Sequence, residues 1–201
     1  MIINNTDINK FIYSKITRRQ KSLFFDDIND NYNELSSKLL KKKILVIGGA
    51  GTIGSNYIKS LLKFDISELT IVDINENDLV ELIRSIRSSS NIKLPKVIKA
   101  YAMDFGDDIF YKYLRNNSPF DIVANFAANK HVRGEKDIYS IEAMVKNNIF
   151  KNKKLLNFFS DSVPESFFCV STDKAANPVN VMGASKKLME NVIMVYSKDF
   201  K

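Results

Sequence analysis

Short, uninterrupted apolar runs alternate along this chain with stretches in which apolar residues recur every third or fourth position. Ile44–Ile47, Leu69–Val72, Val97–Met103, Phe120–Ala127 and Phe167–Val170 are runs of strand length. Gly54–Leu62, the stretch through Leu79, Leu82, Ile83 and Ile86, Ile109–Leu114, Ile141 to Phe159 and Gly183–Tyr196 carry the helical period. Strands that are apolar throughout must be covered on both faces, and alternating helices supply that cover in an all-parallel sheet. The pattern predicts an α/β protein built on a doubly wound parallel sheet.

Residues 1–42 lie outside this alternation. Thr6-Asp7 is a capping pair for a short helix reaching Arg18-Arg19, and Asp26-Asp27 is one for a second helix reaching Leu39-Leu40. The expected division is a helical N-terminal extension over 1–42, packed outside the sheet, and one α/β domain over 43–201. A length of 201 residues, at about 150 per domain, agrees with that division.

Composition acts mainly by exclusion. With 45% hydrophobic residues the chain can bury a core. No apolar run approaches the ~18–20 residues that span a bilayer, and Met1–Lys10 is polar, unlike a signal peptide. A soluble cytoplasmic protein is expected. One cysteine, Cys169, excludes a disulfide framework, and its apolar surroundings, Ser166–Val170, predict a buried, inert thiol. One histidine, His131, is read as structural, and a multi-histidine metal site is excluded. The net charge of +7 comes from 30 Lys+Arg against 23 Asp+Glu, but the lysines are scattered. Their one cluster, Lys41-Lys42-Lys43, precedes a strand, so a solvated surface is expected rather than a nucleic-acid footprint.

Gly48-Gly49-Ala50-Gly51-Thr52-Ile53-Gly54 lies where the first strand turns into its helix. Glycines at 48, 51 and 54 permit a tight turn, close approach to a pyrophosphate, and close helix–strand packing. The helix start at Thr52 and Ile53 adds N–H donors and a partial positive charge. Asp73 ends the second strand about twenty residues beyond Gly54, the separation of an acid that accepts from an adenosine ribose. Ile74-Asn75 follow, with no arginine to meet a 2′-phosphate, so the expected cofactor is NAD rather than NADP. These features predict a Rossmann-type sheet of order 3-2-1-4-5.

The Gly48-x-x-Gly51-x-x-Gly54 spacing is similar to that of the short-chain dehydrogenase/reductase superfamily. Asp104-Phe105 resembles the superfamily's adenine-contacting acid and its neighbour. Asn125-Phe126-Ala127-Ala128-Asn129-Lys130-His131 resembles the segment that lies along the nicotinamide ribose. Lys130 is read either as a contact to cofactor or substrate phosphate or as a solvated loop lysine. Met182-Gly-Ala-Ser-Lys186 has the spacing of the superfamily's Tyr-x-x-x-Lys, with methionine in the tyrosine place. The block from Ser171-Thr172-Asp173-Lys174 to Met182-Gly-Ala-Ser-Lys186 closely resembles the nucleotide-sugar 4,6-dehydratases of polysaccharide biosynthesis, the branch that acts on UDP-N-acetylglucosamine. The likeness covers Ile44 to Lys201, and the stretch Arg133–Asp137 departs from the commoner family pattern.

The resemblance implies that Lys186 holds the nicotinamide ribose and that Thr172 hydrogen-bonds the sugar O4. It implies Asp173 as the acid for the C6 hydroxyl, Lys174 as the base at C5, and Asn148 as a helix residue orienting the lysine through water. A thioether takes no proton, so Met182 leaves the O4 proton to another group, such as Asp173. The residues alone also fit blander roles. Asp173 and Lys174 suit a surface ion pair at the Asn177-Pro178 turn, Met182 suits core packing, and Lys186 and Asn148 suit ordinary helix positions. Three activities stay open: the 4,6-dehydratase, a nucleotide-sugar epimerase of the same superfamily, and a non-catalytic NAD-binding module. The resemblance further implies a homo-oligomer and a small lobe after the Lys186 helix that closes over the nucleotide-sugar. On that basis these 201 residues are expected to bind cofactor without turnover and to leave the fifth strand as an exposed edge.

Overall fold

The computed structural model describes residues 8, 10–19, 23–89, 92, 94–129, 135 and 137–198. They fall into two compact units, divided between Leu39 and Leu40. The first holds a π-helical turn, Ile12–Thr17, and two short helices, α1 (Leu23–Asp30) and α2 (Tyr32–Leu39). Thr6-Asp7 lies outside the described residues. Asp26 stands in the first turn of α1 rather than before it, and the single helix expected from Asp26-Asp27 to Leu39-Leu40 is interrupted at Asn31. The Asn31 side-chain amide donates to the Asp27 carbonyl at 2.8 Å, sharing it with the Asn31 backbone N–H at 3.2 Å.

The second unit is a five-stranded, all-parallel sheet of order β3-β2-β1-β4-β5. Its strands are β1 (Lys43–Ile47), β2 (Glu68–Asp73), β3 (Val97–Ala102), β4 (Ile122–Asn125) and β5 (Ser166–Cys169). The helices between them are α3 (Thr52–Leu61), α4 (Glu76–Ser88), α5 (Asp108–Asn117), α6 (Ile138–Val145) and α7 (Lys151–Phe159), and α8 (Val181–Ser197) follows β5. This is the Rossmann-type order predicted from the glycine turn and Asp73 within the alternation of strands and helices.

The central strands β1, β2 and β4 are buried nearly end to end, whereas β3 and β5 alternate between exposed and half-buried positions. An outer strand has one neighbour in place of two, so helices cover it less completely. Along β1 and β2 the side chains divide between two faces. Leu45, Ile47 and Val72 join Phe110, Leu114, Leu155 and Phe159 of α5 and α7 in one core. Val46 and Ile71 turn the other way, meeting Ile58 of α3 around Gly49.

Two elements differ from the pattern read in the sequence. The apolar run Phe120–Ala127 forms a strand only over Ile122–Asn125. Before it, the Asp121 carboxylate accepts from the Lys43 backbone N–H at 2.7 Å; after it, the chain leaves the sheet to pass the Gly48 turn. The helix expected from Ile141 begins earlier, at Ile138, because Asp137 caps it by accepting from the Ser140 N–H at 2.9 Å. A π-helical turn, Lys146–Phe150, separates α6 from α7.

Phe159 is fully buried in the α5–α7 core, so its truncation leaves a cavity the neighbours only partly fill. Phe159→Ala should lower unfolding stability by about 3–5 kcal/mol, read as a lower urea midpoint at unchanged m-value. A loss below about 1 kcal/mol would mean that this core collapses freely around the vacancy.

Candidate functional site

The site grows from the turn that ends β1. Gly48 adopts φ +70°, in the left-handed region, and a Cβ there would stand 2.5 Å from the Ala127 nitrogen. A Cβ on Gly54 would stand 2.3 Å from the Gly48 carbonyl oxygen, so α3 sits directly on its own turn. Gly51 differs, because the nearest atom to a Cβ there is 3.6 Å away. It is the residue that caps α3, and having no side chain it makes no cap bond to the helix's first N–H groups. Asn75, Asp137 and Asn180, by contrast, each accept from the first turns of α4, α6 and α8.

Asp73 closes β2 beside this turn. One carboxylate oxygen accepts from the Ala50 N–H at 2.9 Å and the other from the Asn75 N–H at 3.0 Å. Ile74 beyond it is exposed. At the end of β3, Asp104 accepts from the Gly106 N–H at 2.7 Å and pairs with Lys151, the first residue of α7. Burial pushes the Asp104 carboxyl up, but Lys151, the Gly106 N–H and Lys146 outweigh it and hold the group below the usual carboxylate range. Phe105 is buried in the core beside it.

At the end of β4, Ala127 donates its N–H to the Asn125 side chain at 2.9 Å. Asn148, in the π-helical turn, is fully buried. Its amide donates to the Asn129 carbonyl and to the Ser185 hydroxyl at 3.0 Å each, and its oxygen accepts from the Asn129 N–H. It therefore ties the β4 exit to α8. Lys130 and His131 lie outside the described residues.

After β5, Thr172 caps a 3₁₀ turn, Asp173–Ala175, and its hydroxyl donates to the Asp173 carboxylate at 3.0 Å. The Thr172 hydroxyl, the Lys174 ammonium and the Lys174 N–H hold the Asp173 carboxyl below its usual range. The Lys174 ammonium stands 3.9 Å from it. A Cβ on Gly183 would stand 2.5 Å from the Lys174 carbonyl, so α8 packs tightly on this turn. Met182 and Lys186 are both buried on α8. The Lys186 ammonium donates to the Val170 carbonyl at 2.9 Å. Burial holds it below the ordinary lysine range, against the pull of Cys169 and Glu190. Burial also pushes the Cys169 thiol up to about 12, which leaves it unreactive.

A cavity of about 470 Å³ unites these segments. Gly48, Gly51, Thr52, Ile53 and Gly54 line one part of it, with Asp73 and Ile74. Asp104, Phe105, Ala127 and Ala128 continue the wall, and Thr172, Lys174, Met182 and Lys186 complete it. Asp173 is not among the lining residues, and its side chain is 90% exposed.

Two residues at the site carry no signal in the sequence. Lys151 looks like its neighbours Lys153 and Lys154 until α7 meets the β3 exit. Glu135 accepts from the Met182 backbone N–H at 2.8 Å, across a separation that no local pattern reveals. Among the described residues no group of three or more His, Cys, Asp or Glu side chains could hold a metal ion. Among them, too, no helix is long and apolar enough to cross a membrane.

A family model described as "Polysaccharide biosynthesis protein" matches residues 44–201. A Methanocaldococcus jannaschii protein named "Uncharacterized membrane protein MJ1061" is 37% identical, over 84% of this chain and 45% of its own. The Bacillus subtilis "Probable polysaccharide biosynthesis protein EpsC" is 33% identical, over 83% of this chain and 27% of its own. The X-ray structure of Pen from Bacillus thuringiensis shares the fold, with a TM-score of 0.68 at 23% identity over 80% of this chain and 46% of that one. The chain thus spans less than half the length of each. Other matches include proteins named dTDP-D-glucose 4,6-dehydratase and UDP-glucose 4-epimerase.

The buried Lys186 ammonium generates a prediction. A lysine whose folded-state pKa lies below its unfolded value opposes folding most while it is charged in both states. That penalty is relieved as pH rises through the folded pKa toward the unfolded one. Lys186→Met should raise the neutral-pH Tm by about 2 °C or more, and the gain should shrink in thermal scans carried toward about pH 10. A variant less stable than the parent at neutral pH would show that the bond to Val170 outweighs the burial of charge.

Proposed function

The chain belongs to the polysaccharide biosynthesis protein family over residues 44–201, and from that premise we propose that its cavity binds NAD and a nucleotide-sugar for oxidation at the sugar C4. This is the opening step of a nucleotide-sugar 4,6-dehydratase acting on a UDP-N-acetylglucosamine-like substrate. One observation carries the reading: a single cavity is lined both by the glycine turn with Asp73 and by Thr172, Lys174, Met182 and Lys186.

The residues fit the dinucleotide. The open surface at Gly51 and the uncapped first turn of α3 suit a diphosphate, which the N–H groups and the helix dipole favour. The Asp73 carboxylate suits the two hydroxyls of an adenosine ribose and repels a 2′-phosphate. When bound, NAD supplies the hydride acceptor. The Lys186 ammonium uses one N–H on the Val170 carbonyl and a second on the Met189 sulfur, which leaves the third for the nicotinamide ribose. Thr172, at the carboxyl end of β5, offers a hydroxyl to the sugar O4, and Lys174 offers an amine at C5. Met182 packs against the sugar and moves no proton.

A specific observation favours a second reading. Loss of the C6 hydroxyl needs an acid, yet Asp173 is exposed, lies off the cavity wall and is held ionised by Thr172 and Lys174. A 4-epimerase needs no group at C5 or C6, only oxidation and re-reduction at C4 and a base that holds the O4 proton between them, a role that falls in this reading to the amine of Lys174 on the cavity wall. The dehydratase reading requires Asp173 to turn inward and take up a proton.

Calorimetry tests the cofactor. NAD should bind at least about tenfold tighter than NADP, and Asp73→Ala should narrow that gap. Tighter binding of NADP would overturn the assignment. In a protein of the relatives' span carrying this sequence, Lys174→Ala should abolish the 4-keto product, read by its ultraviolet absorbance after alkali, while NAD binding persists. A C4 epimer formed without keto-sugar would establish the second reading, and neither product would overturn both.

A further inference from the structure

We infer that Lys151 is a positioning residue for the base-binding end of the cavity, latching the turn through which β3 presents Asp104 and Phe105 to a dinucleotide. The inference builds on the NAD reading above.

β3 leaves the sheet at Ala102, and Met103, Asp104 and Phe105 then pass along the cavity wall before α5 starts at Asp108. So short a turn has few bonds of its own. The Gly106 N–H donates to the Asp104 carboxylate, and the Asp107 N–H donates to the Asp104 carbonyl at 3.1 Å. The Met103 N–H donates to the Asp73 carbonyl at 2.9 Å, Phe105 is anchored in the core, and α7 adds a further restraint. The Lys151 ammonium donates to both Asp104 oxygens, at 2.7 and 2.5 Å, and stands 5.5 Å from the centre of the Phe105 ring. Its aliphatic stem lies across Gly106, where a Cβ would come within 2.7 Å of it. One turn along, Lys154 donates to the Gly106 carbonyl at 3.0 Å and lies over the Tyr111 ring.

The π-helical turn sets this arrangement. Asn148 and Asn152 face the core, while Asn147 and Lys151 face the β3 exit, the asparagine oxygen accepting from the lysine at 3.3 Å. Lys151 does not line the cavity, so it acts through Asp104. The pair is partly exposed and adds little stability, but a carboxylate gripped at both oxygens keeps one orientation. Held ionised, it accepts from the exocyclic amine of adenine and repels the carbonyl that hypoxanthine carries at the same place.

The test compares NAD with nicotinamide hypoxanthine dinucleotide by calorimetry on the full chain. The parent should prefer NAD. Lys151→Met should weaken NAD by about tenfold and leave the hypoxanthine analogue nearly unchanged, and Lys151→Arg should restore the preference. Gly106→Ala, which keeps the charge but displaces the lysine stem, should reproduce the loss. In the free chain, Lys151→Met should speed hydrogen exchange at the Gly106 amide. Unchanged NAD preference in Lys151→Met, or an equal loss for both dinucleotides, overturns the inference and leaves the NAD reading intact. A parent that binds neither dinucleotide overturns both.

Discussion

Backbone meets backbone at the glycine turn with no room for a side chain, and the rest of the cavity is arranged around that contact. The Gly48 carbonyl lies where a Cβ on Gly54 would have to be, and the exit of β4 lies where a Cβ on Gly48 would have to be. Three segments can therefore converge: the start of α3, the end of β2 with Asp73, and the loop after β4. The uncapped N–H groups of α3 end up at the carboxyl edge of the sheet, where an open α/β sheet forms its crevice. Any side chain at either glycine would wedge these segments apart and remove the wall before any chemistry could begin.

The opposite wall is held differently, by buried amides. Asn125 donates to Asn152 at 2.8 Å, Asn152 to the Asn148 carbonyl at 3.0 Å, and Asn148 to Ser185, which returns a bond to the Met182 carbonyl at 2.8 Å. A buried amide left unpaired costs about 1–3 kcal/mol, so these partners are not interchangeable with looser ones. The chain of bonds runs from β4 through α7 to the first turns of α8. It fixes where Met182 and Lys186 stand relative to the sheet, without placing a charge in the core.

Charge is used at the cavity in two opposite ways. Lys186 is buried and pressed toward its neutral form, while Asp173 is exposed and held ionised by its neighbours. The dehydratase reading proposed above requires the Asp173–Ala175 turn to bring its carboxylate inward. The close packing of Gly183 on that turn limits how far it can move.

Much of this was legible in the residues taken one after another. The alternation of apolar runs and helical spacing determined a parallel sheet covered on both faces, and the glycine spacing with Asp73 pointed to its order. These are local signals: a strand or a glycine turn restricts its own backbone whatever packs on it. The sequence also brought Thr172, Lys174, Met182 and Lys186 to one cavity, through a spacing that keeps them at the end of one strand and on one helix face. Only the folded chain decided the rest. It shortened β4, inserted the π-helical turn, turned Asp173 away from the wall and joined Lys151 to Asp104 and Glu135 to Met182. Each of these depends on an approach between residues far apart in the chain, and such an approach leaves no periodicity behind. A lysine that latches a turn and a lysine that meets only water have the same neighbours in sequence, and they differ only in what the fold sets against them.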